Sequence, residues 1–538
     1  MSDFDGIARI DRTYAPASPE RACLELRLKE LAAADAPLMM TIGGARRAGG
    51  GERVDVVQPH HHSARLGMLG EATPEDVGLA VDAALTAGPG WRALPCYDRA
   101  AVFLRAAELL AGPWRETVVA ATMLGQSMTA WQAEAESREL VRFWRVAARA
   151  AETIEAAETV EAIGAIGAIG TAGQTGQTGA VEDGGARAAR GVRRRTELRP
   201  LEGFVCAVTP FESTAAAGRL ATAPALAGNT VVWRPAPAQT LSATCVLRVL
   251  EAAGLPPGVI NMVTGEGQAL ARAALGHPRL AGLHFAGEAA DFHGYWCEVG
   301  RHLDRCASRP RLVGETGGKG FLLAHPGADP AVLRTALVQG AFAYQGQRRS
   351  AVSRAYLPRV LWQAVKAAFL DEVRALAVGD VADLSNTMGA LVDAHAHERA
   401  AGAIARARTV HSLDVVVGGH SDDAIGYFVE PTVITGTDPR QELFTAGLRG
   451  PVLAVHVYDD ARFEQTLDLV AAARPAVAAG SVIASDRSVI AQVRARLRGA
   501  ADALAVNGVE PSGAAQAGGK EYLMPWMSRR SVEETLIW

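Results

Sequence analysis

NTVVWRPAPAQTLSATCVLRVLEAAGLPPGVINMVTG, residues 229–265, reads as strand, helix, strand. NTVVWRP is a short β-rich run closed by proline, and VINMVTG is a second one closed by glycine; SATCVLRVLEAAG between them has helical length and composition. Strands joined by a crossover of that length are parallel neighbours in one sheet, because a hairpin needs only a few residues. FVCAVTP before this stretch (204–210) and LAGLHFAG after it (280–287) continue the pattern. A second α/β stretch runs from about Gly320 to Val506, with GFLLAH, AVSRAYLP, PVLAVHVY and AAGSVIA as strands between long Ala/Leu/Val/Arg helices. Two consecutive α/β halves set the fold class but serve many enzymes, so they name no reaction.

Ahead of the first half the chain is helical. SPERACLELRLKELAAADAP offers Ser18 as an N-cap before Pro19, while Thr73 and Asp98 are expected to cap ATPEDVGLAVDAALTAG and DRAAVFLRAAELLAG. Residues 162–192 are Gly/Ala-rich, repeat AIG and QTG, and carry few large apolar side chains. Such a segment buries too little surface to offset its ordering entropy, and a flexible insertion is expected there. Residues 518–538 form a polar and aromatic tail.

At 538 residues, a large core in two or three layers is within reach. A net charge of −4 and a pI near 6.4 argue against nucleic acid or an anionic membrane as partner. The six cysteines, at 23, 96, 206, 245, 297 and 306, form no CxxC pair, which suits reduced thiols better than a zinc site or a disulfide framework. MSDFDGIARI lacks a basic stretch followed by an apolar core, and no apolar run reaches the roughly 18 residues that cross a bilayer. The expectation is a soluble, cytoplasmic protein. His60, His61 and His62 follow one another on one loop, and neighbours on an extended segment point to opposite faces, so no metal site is expected.

The wording of the segments then becomes specific. LGQSMTAWQAE (124–134), LEGFVCAVTPF (201–211), ATAPALAGNTVVWRP (221–235), EAAGLPPGVINMV (251–263), RPRLVGETGGKG (309–320), GYFVEPTVI (426–434) and GGKEYLMPWMSRRSVEET (518–535) occur in one order. Together they resemble the aldehyde dehydrogenase superfamily, and within it the L-glutamate γ-semialdehyde (pyrroline-5-carboxylate) dehydrogenases. The resemblance runs from about residue 18 to the C-terminus. It implies a Rossmann-like cofactor-type domain over 1–160 and 195–314 and a catalytic-type α/β domain over 315–506. It also implies an oligomerisation flap, with the Gly/Ala-rich insertion at 161–194 and the tail at 507–538. Tyr522, Trp526 and Trp538 are expected as anchors of that interface, in a homodimer or larger homo-oligomer.

The positions that carry the family's chemistry depart from its pattern. The resemblance places the general-base glutamate at Glu315, and 34 residues later the nucleophilic cysteine's slot in YQGQRRSAVSR holds Arg349. A guanidinium stays protonated and cannot attack a carbonyl. Where the family has an oxyanion-hole asparagine, TPFES has Glu212, whose carboxylate would repel a developing alkoxide. The lysine that meets the adenosine ribose becomes Arg234. The pyrophosphate turn reads FAGE, keeping Gly287 but placing Glu288 where a small hydroxyl belongs. The glutamate that grips the nicotinamide ribose becomes Gly447, with Arg449 two residues on, and the loop that anchors the substrate carboxylate is missing after Gly513.

These changes point to a catalytically degenerate relative, a binding or regulatory protein with a possible protein partner, with no cofactor retained or NAD binding much weakened. Arg349 is expected to lie in the old catalytic funnel within reach of Glu212 and Glu315, closing it as a buried ion pair. The alternative is that Arg349 and Arg449 hold a small carboxylate ligand. Two other readings stay open. One is acid–base chemistry by Glu315 and Glu212 on a small carboxylate, imine or aldehyde, since carboxylates forced together raise one pKa. The other is a residual NAD-dependent pyrroline-5-carboxylate or aldehyde dehydrogenase.

Overall fold

The computed structural model describes residues 14–170, 192–266, 268–473, 477–509 and 519–535. Two seven-stranded sheets organise it. In the first, Arg311–Thr316, Leu280–Gly287, Phe204–Thr209, Thr230–Pro235 and Ile260–Met262 lie side by side as parallel neighbours. Met40–Ile42 and Ala45–Arg47 extend one edge antiparallel. The second sheet runs Leu413–Val417, Thr432–Gly436, Val452–Tyr458, Val352–Pro358, Gly320–Ala324, Val477–Ile483 and Ala501–Val506, parallel except for its first pair. Every residue of Phe204–Thr209 and of Val352–Pro358 is buried, as strands covered by helices on both faces must be. Glu315 pairs with Ala286 in the first sheet, so the chain passes to the second sheet after Thr316 rather than ahead of Glu315.

The helix Thr214–Leu226 is buried along its whole length because it is built almost wholly of small residues. Gly218 is the closest approach: a Cβ there would stand 2.7 Å from a methyl of Leu140 on the long helix Ala130–Gly170. Ser18 accepts the Arg21 amide, and Thr73 shares a reciprocal capping box with Asp76. Asp98 is not a cap. Its helix starts at Cys96 behind Pro95, and Asp98 lies in the first turn, where a carboxylate still suits the helix dipole.

The expected insertion at 161–194 is also corrected. The long helix continues through AIGAIGAIG to Gly170, since extending an existing helix through alanine and isoleucine needs no new nucleus. Residues 171–191 lie outside the described residues, and Val192 already opens the strand Val192–Pro200. That strand pairs antiparallel with Met527–Thr535 over its full nine residues, forming a two-stranded ribbon. Trp526 and Tyr522 do not stand out from the tail as interface anchors. Trp526 is fully buried 4.6 Å from the His284 ring, its carbonyl accepts from the Asn229 amide, and Tyr522 packs edge-on against Phe143. Trp538 lies outside the described residues. Among them, no helix is long and apolar enough to cross a membrane.

Candidate active site

The strand Phe204–Thr209 ends in the turn Pro210–Ser213 at the carboxyl edge of the first sheet, and the buried helix Thr214–Leu226 begins there. Ser213 caps that helix through the Ala216 amide at 2.9 Å. The turn is fastened from outside as well, since the Ala215 amide donates to Glu136 at 2.9 Å and the Ser213 hydroxyl donates to the same carboxylate oxygen. With its neighbours fixed, Glu212 projects into the cleft between the sheets, its side chain 3% exposed. Two guanidinium groups meet it there, Arg349 Nε on Oε1 at 2.6 Å and Arg449 Nη1 on Oε2 at 3.1 Å.

Arg349 reaches this point from a strained loop. Tyr344, Gln345 and Gly346 are three consecutive left-handed residues, a conformation that costs the two side-chain-bearing ones and needs outside support. The support is polar and buried. The Tyr344 hydroxyl donates to the Gln126 carbonyl, and the Gln345 amide donates to the Ser127 and Ala390 carbonyls, each at 2.9 Å. Gly346 allows the loop to pass the Gly450 carbonyl, which a Cβ would approach to 2.3 Å. Beyond this turn Arg348 binds Glu136 at 2.8 Å. Arg349 spans from Glu212 to Glu315, donating to the Glu315 carbonyl through Nη1 and lying 3.4 Å from its carboxylate through Nη2.

Glu315 has further partners. Arg219 Nη2 donates to it at 2.7 Å and the Tyr522 hydroxyl at 2.8 Å, while His284 Nε2 stands 3.8 Å away. Burial pushes this carboxyl upward, but Arg219, Arg349, His284 and the Tyr522 hydroxyl together outweigh it and hold its pKa down to about 2. The prospect of Glu315 and Glu212 as a forced carboxylate pair with one raised pKa is therefore overturned, because Arg349 lies between them. Burial drives His284 down to about 4 and so keeps the ring neutral, with Glu315 and the Leu220 carbonyl, 3.0 Å from Nδ1, opposing. The cations Arg219, Arg348, Arg349 and Arg449 face the carboxylates of Glu136, Glu212, Glu288 and Glu315, and the charges cancel. Arg349 and Arg449 converge on Glu212 and not on an open volume, which removes the reading in which the two together clasp a carboxylate ligand.

Four further positions are the ones expected to meet a cofactor. Arg234 lies at the end of the strand Thr230–Pro235, beside Tyr295, and its Nε is buried without a hydrogen-bond partner among the described residues. Gly287 closes the strand Leu280–Gly287, and a Cβ there would sit 2.6 Å from the Phe285 ring. Glu288 is the N-cap of the helix Ala289–Arg301 but makes no capping bond; its carboxylate instead meets Arg449 Nε at 3.0 Å. Gly447 is exposed beside the short helix Glu442–Thr445, on the wall of a cavity of about 480 Å³ with Leu443 and Leu448, and brings no side chain to any ribose. His60 and His62 bind Ser127, Asp380 and the Asp423 carbonyl singly, and no metal-ligating cluster occurs among the described residues.

Sequence reasoning missed Arg219, Glu136, His284 and Tyr522. Two of these had a signal. Arg219 is the lone charge in TAAAGRLATAPAL, a helix apolar on all sides, and His284 is the lone polar ring in LAGLHFAG; a buried charge or imidazole of that kind must have a partner. Glu136 and Tyr522 come from segments remote in sequence; no local pattern singles out Glu136, and the aromatic tail pointed Tyr522 to an interface instead of to Glu315.

The aldehyde dehydrogenase family model matches residues 46–531. A curated Δ1-pyrroline-5-carboxylate dehydrogenase of Agaricus bisporus is 36% identical over 98% of this chain and 94% of its own length; the mitochondrial enzyme of Mus musculus is 34% identical over 97% and 91%. Among solved structures, the Δ-pyrroline-5-carboxylate dehydrogenase of Mycobacterium tuberculosis bound with NAD is 46% identical, with a TM-score of 0.86 over 98% of this chain and 95% of that one. The NAD in a relative this similar overturns the expectation that no cofactor is retained. The residues present also fit a dinucleotide on two counts: guanidinium nitrogens on Arg234 and Arg449 are buried without hydrogen-bond partners among the described residues, and a helix N-terminus without a side-chain cap follows a strand of the parallel sheet beside Arg449. The chain belongs to the aldehyde dehydrogenase family, with pyrroline-5-carboxylate dehydrogenases as its relatives.

Proposed function

We propose that this chain is an NAD-binding member of the family that does not oxidise aldehydes by the covalent route and acts as a binding or regulatory protein, as a homo-oligomer. The observation that carries the reading is the guanidinium of Arg349 held between Glu212 and Glu315, in the slot that the resemblance gives to the nucleophile. A permanently protonated group there cannot attack a carbonyl. Glu315, its pKa held near 2, is a poor proton acceptor, and Glu212 opposes negative charge where an alkoxide would grow. Arg234, Gly287 and the helix that starts at Ala289 would hold the adenosine and pyrophosphate of NAD. When bound, NAD supplies a hydride acceptor, and this chain presents no thiol beside it. A cofactor-type and a catalytic-type domain divided after Thr316, and a cytoplasmic setting, belong to the same proposal.

The test pairs a calorimetric titration with NAD and an oxidation assay with glutamate γ-semialdehyde. Binding without turnover is the expected result. Turnover would instead establish the residual dehydrogenase, and absence of NAD binding would remove the cofactor half of the reading.

A further inference from the structure

Arg449 is held unequally by its two carboxylates. Glu212 is buried, its side chain 3% exposed, and fixes one end through Nη1 at 3.1 Å. Glu288 contacts Nε at 3.0 Å, but its side chain is 49% exposed and free to turn into solvent. Arg449 itself is 8% exposed, and its Nη2 is buried with no hydrogen-bond partner among the described residues. Glu288 is also the residue from which the helix Ala289–Arg301 begins, and it leaves that N-terminus uncapped. A guanidinium with an unused buried donor therefore faces a helix N-terminus, with a displaceable carboxylate between them. An anion seated there would gain the helix dipole, the uncapped amides, and Nε and Nη2 of Arg449. Its cost would be the release of Glu288 to water, which is small for a half-exposed group.

We propose that Arg449 is a diphosphate-gripping residue and Glu288 its internal substitute anion, so that the site selects the ADP moiety of a dinucleotide and takes little affinity from the nicotinamide end. The inference rests on the NAD-binding reading above. Arg349, Glu212 and Glu315 fill the reacting end of the cleft with neutralised charge, which leaves that end with few unused donors. The diphosphate exchanges places with one carboxylate, while Glu212 goes on holding the other end of Arg449.

Calorimetry on the full chain tests this with NAD, ADP-ribose and nicotinamide mononucleotide as probes, on the natural sequence and on Arg449→Met, Arg449→Lys and Glu288→Gln. NAD and ADP-ribose are expected to bind within about threefold of each other, with nicotinamide mononucleotide not competing. Arg449→Met is expected to weaken both by about tenfold or more, Arg449→Lys by less, and Glu288→Gln to tighten both. NAD binding more than about tenfold tighter than ADP-ribose, or Arg449→Met staying within about twofold, would overturn the inference. If Arg449→Met does not fold, Glu288→Gln decides: tighter binding supports the exchange, and unchanged or weaker binding overturns it. If the natural chain binds neither NAD nor ADP-ribose, the NAD-binding reading has failed as well. If it binds NAD but the variants move nothing, only this inference has failed.

Discussion

Arg349 derives its effect from the two carboxylates it joins. Replacing it with alanine leaves Glu315 with Arg219 and Tyr522, but strips the buried Glu212 of its shorter ion pair. Removing one partner of a buried pair costs about 3 kcal/mol or more, so Arg349→Ala should lower the thermal midpoint clearly and Arg349→Met nearly as much. Arg349→Cys restores the thiol alone. It should give no measurable aldehyde oxidation, because Glu212 still lies where an alkoxide would need a donor, and robust turnover by that variant would sink this account. His284 sets a pH dependence. Its folded pKa, about 4, lies below the ordinary 6.5, so the unfolded chain takes up the proton first as pH falls. Stability should be fully present above pH 6.5 and drain away between 6.5 and 4; Glu315, also depressed, adds a second loss from 4.5 down towards 2. Thermal midpoints of His284→Gln should vary less across the 6.5–4 window than those of the natural chain. Arg349 and Glu212 were legible in sequence because each occupies a fixed place in a local motif. That Arg219 and Tyr522 bind Glu315 was not, since 96 and 207 positions separate them from it and only the fold closes that distance.

At the scale of elements, strands were the most legible part of the chain. The apolar runs FVCAVTP, NTVVWRP and LAGLHFAG, each closed by Gly or Pro, became strands, because a parallel strand buried on both faces needs a continuous apolar stretch and leaves that mark. Helix ends were less so. Asp98 had a capping residue's chemistry, yet the helix began two residues earlier, since Pro95 already supplied a suitable entry. AIGAIGAIG looked too poor in apolar surface to order, but it continues a helix whose earlier turns are anchored by Phe143, Trp144 and Ile154. The tightest contact of that helix is Leu140 against Gly218. Gly218→Val forces two branched side chains into one space in a core with no exposed exit, and the expected cost is about 2 kcal/mol. A paired Leu140→Ala should recover part of the loss. If Gly218→Val melts at the same temperature as the natural chain, the packing of these two helices is looser than described.

For the whole molecule, the ribbon of Val192–Pro200 and Met527–Thr535 raises a question that the sheets do not. Two strands alone are marginal in water, and this ribbon takes in no third strand within the described residues. The second seven-stranded sheet ends in Ala501–Val506, whose outer side has no neighbouring strand within the described residues. A chain that carries one marginal ribbon and one unpaired edge can satisfy both by pairing with a second copy, and Val532 is half-buried on the ribbon even in the single chain. Sedimentation at micromolar concentration should therefore give a mass at a multiple of 56.3 kDa. Val532→Asp places a charge in the middle of the ribbon and should shift the distribution towards the monomer. The cluster around Arg349 is built from the cleft, the long helix Ala130–Gly170 and the tail before Met527, so NAD affinity should survive that change. A natural chain that sediments at 56.3 kDa would show that the ribbon is stable uncovered, and would remove the homo-oligomer from the proposed function.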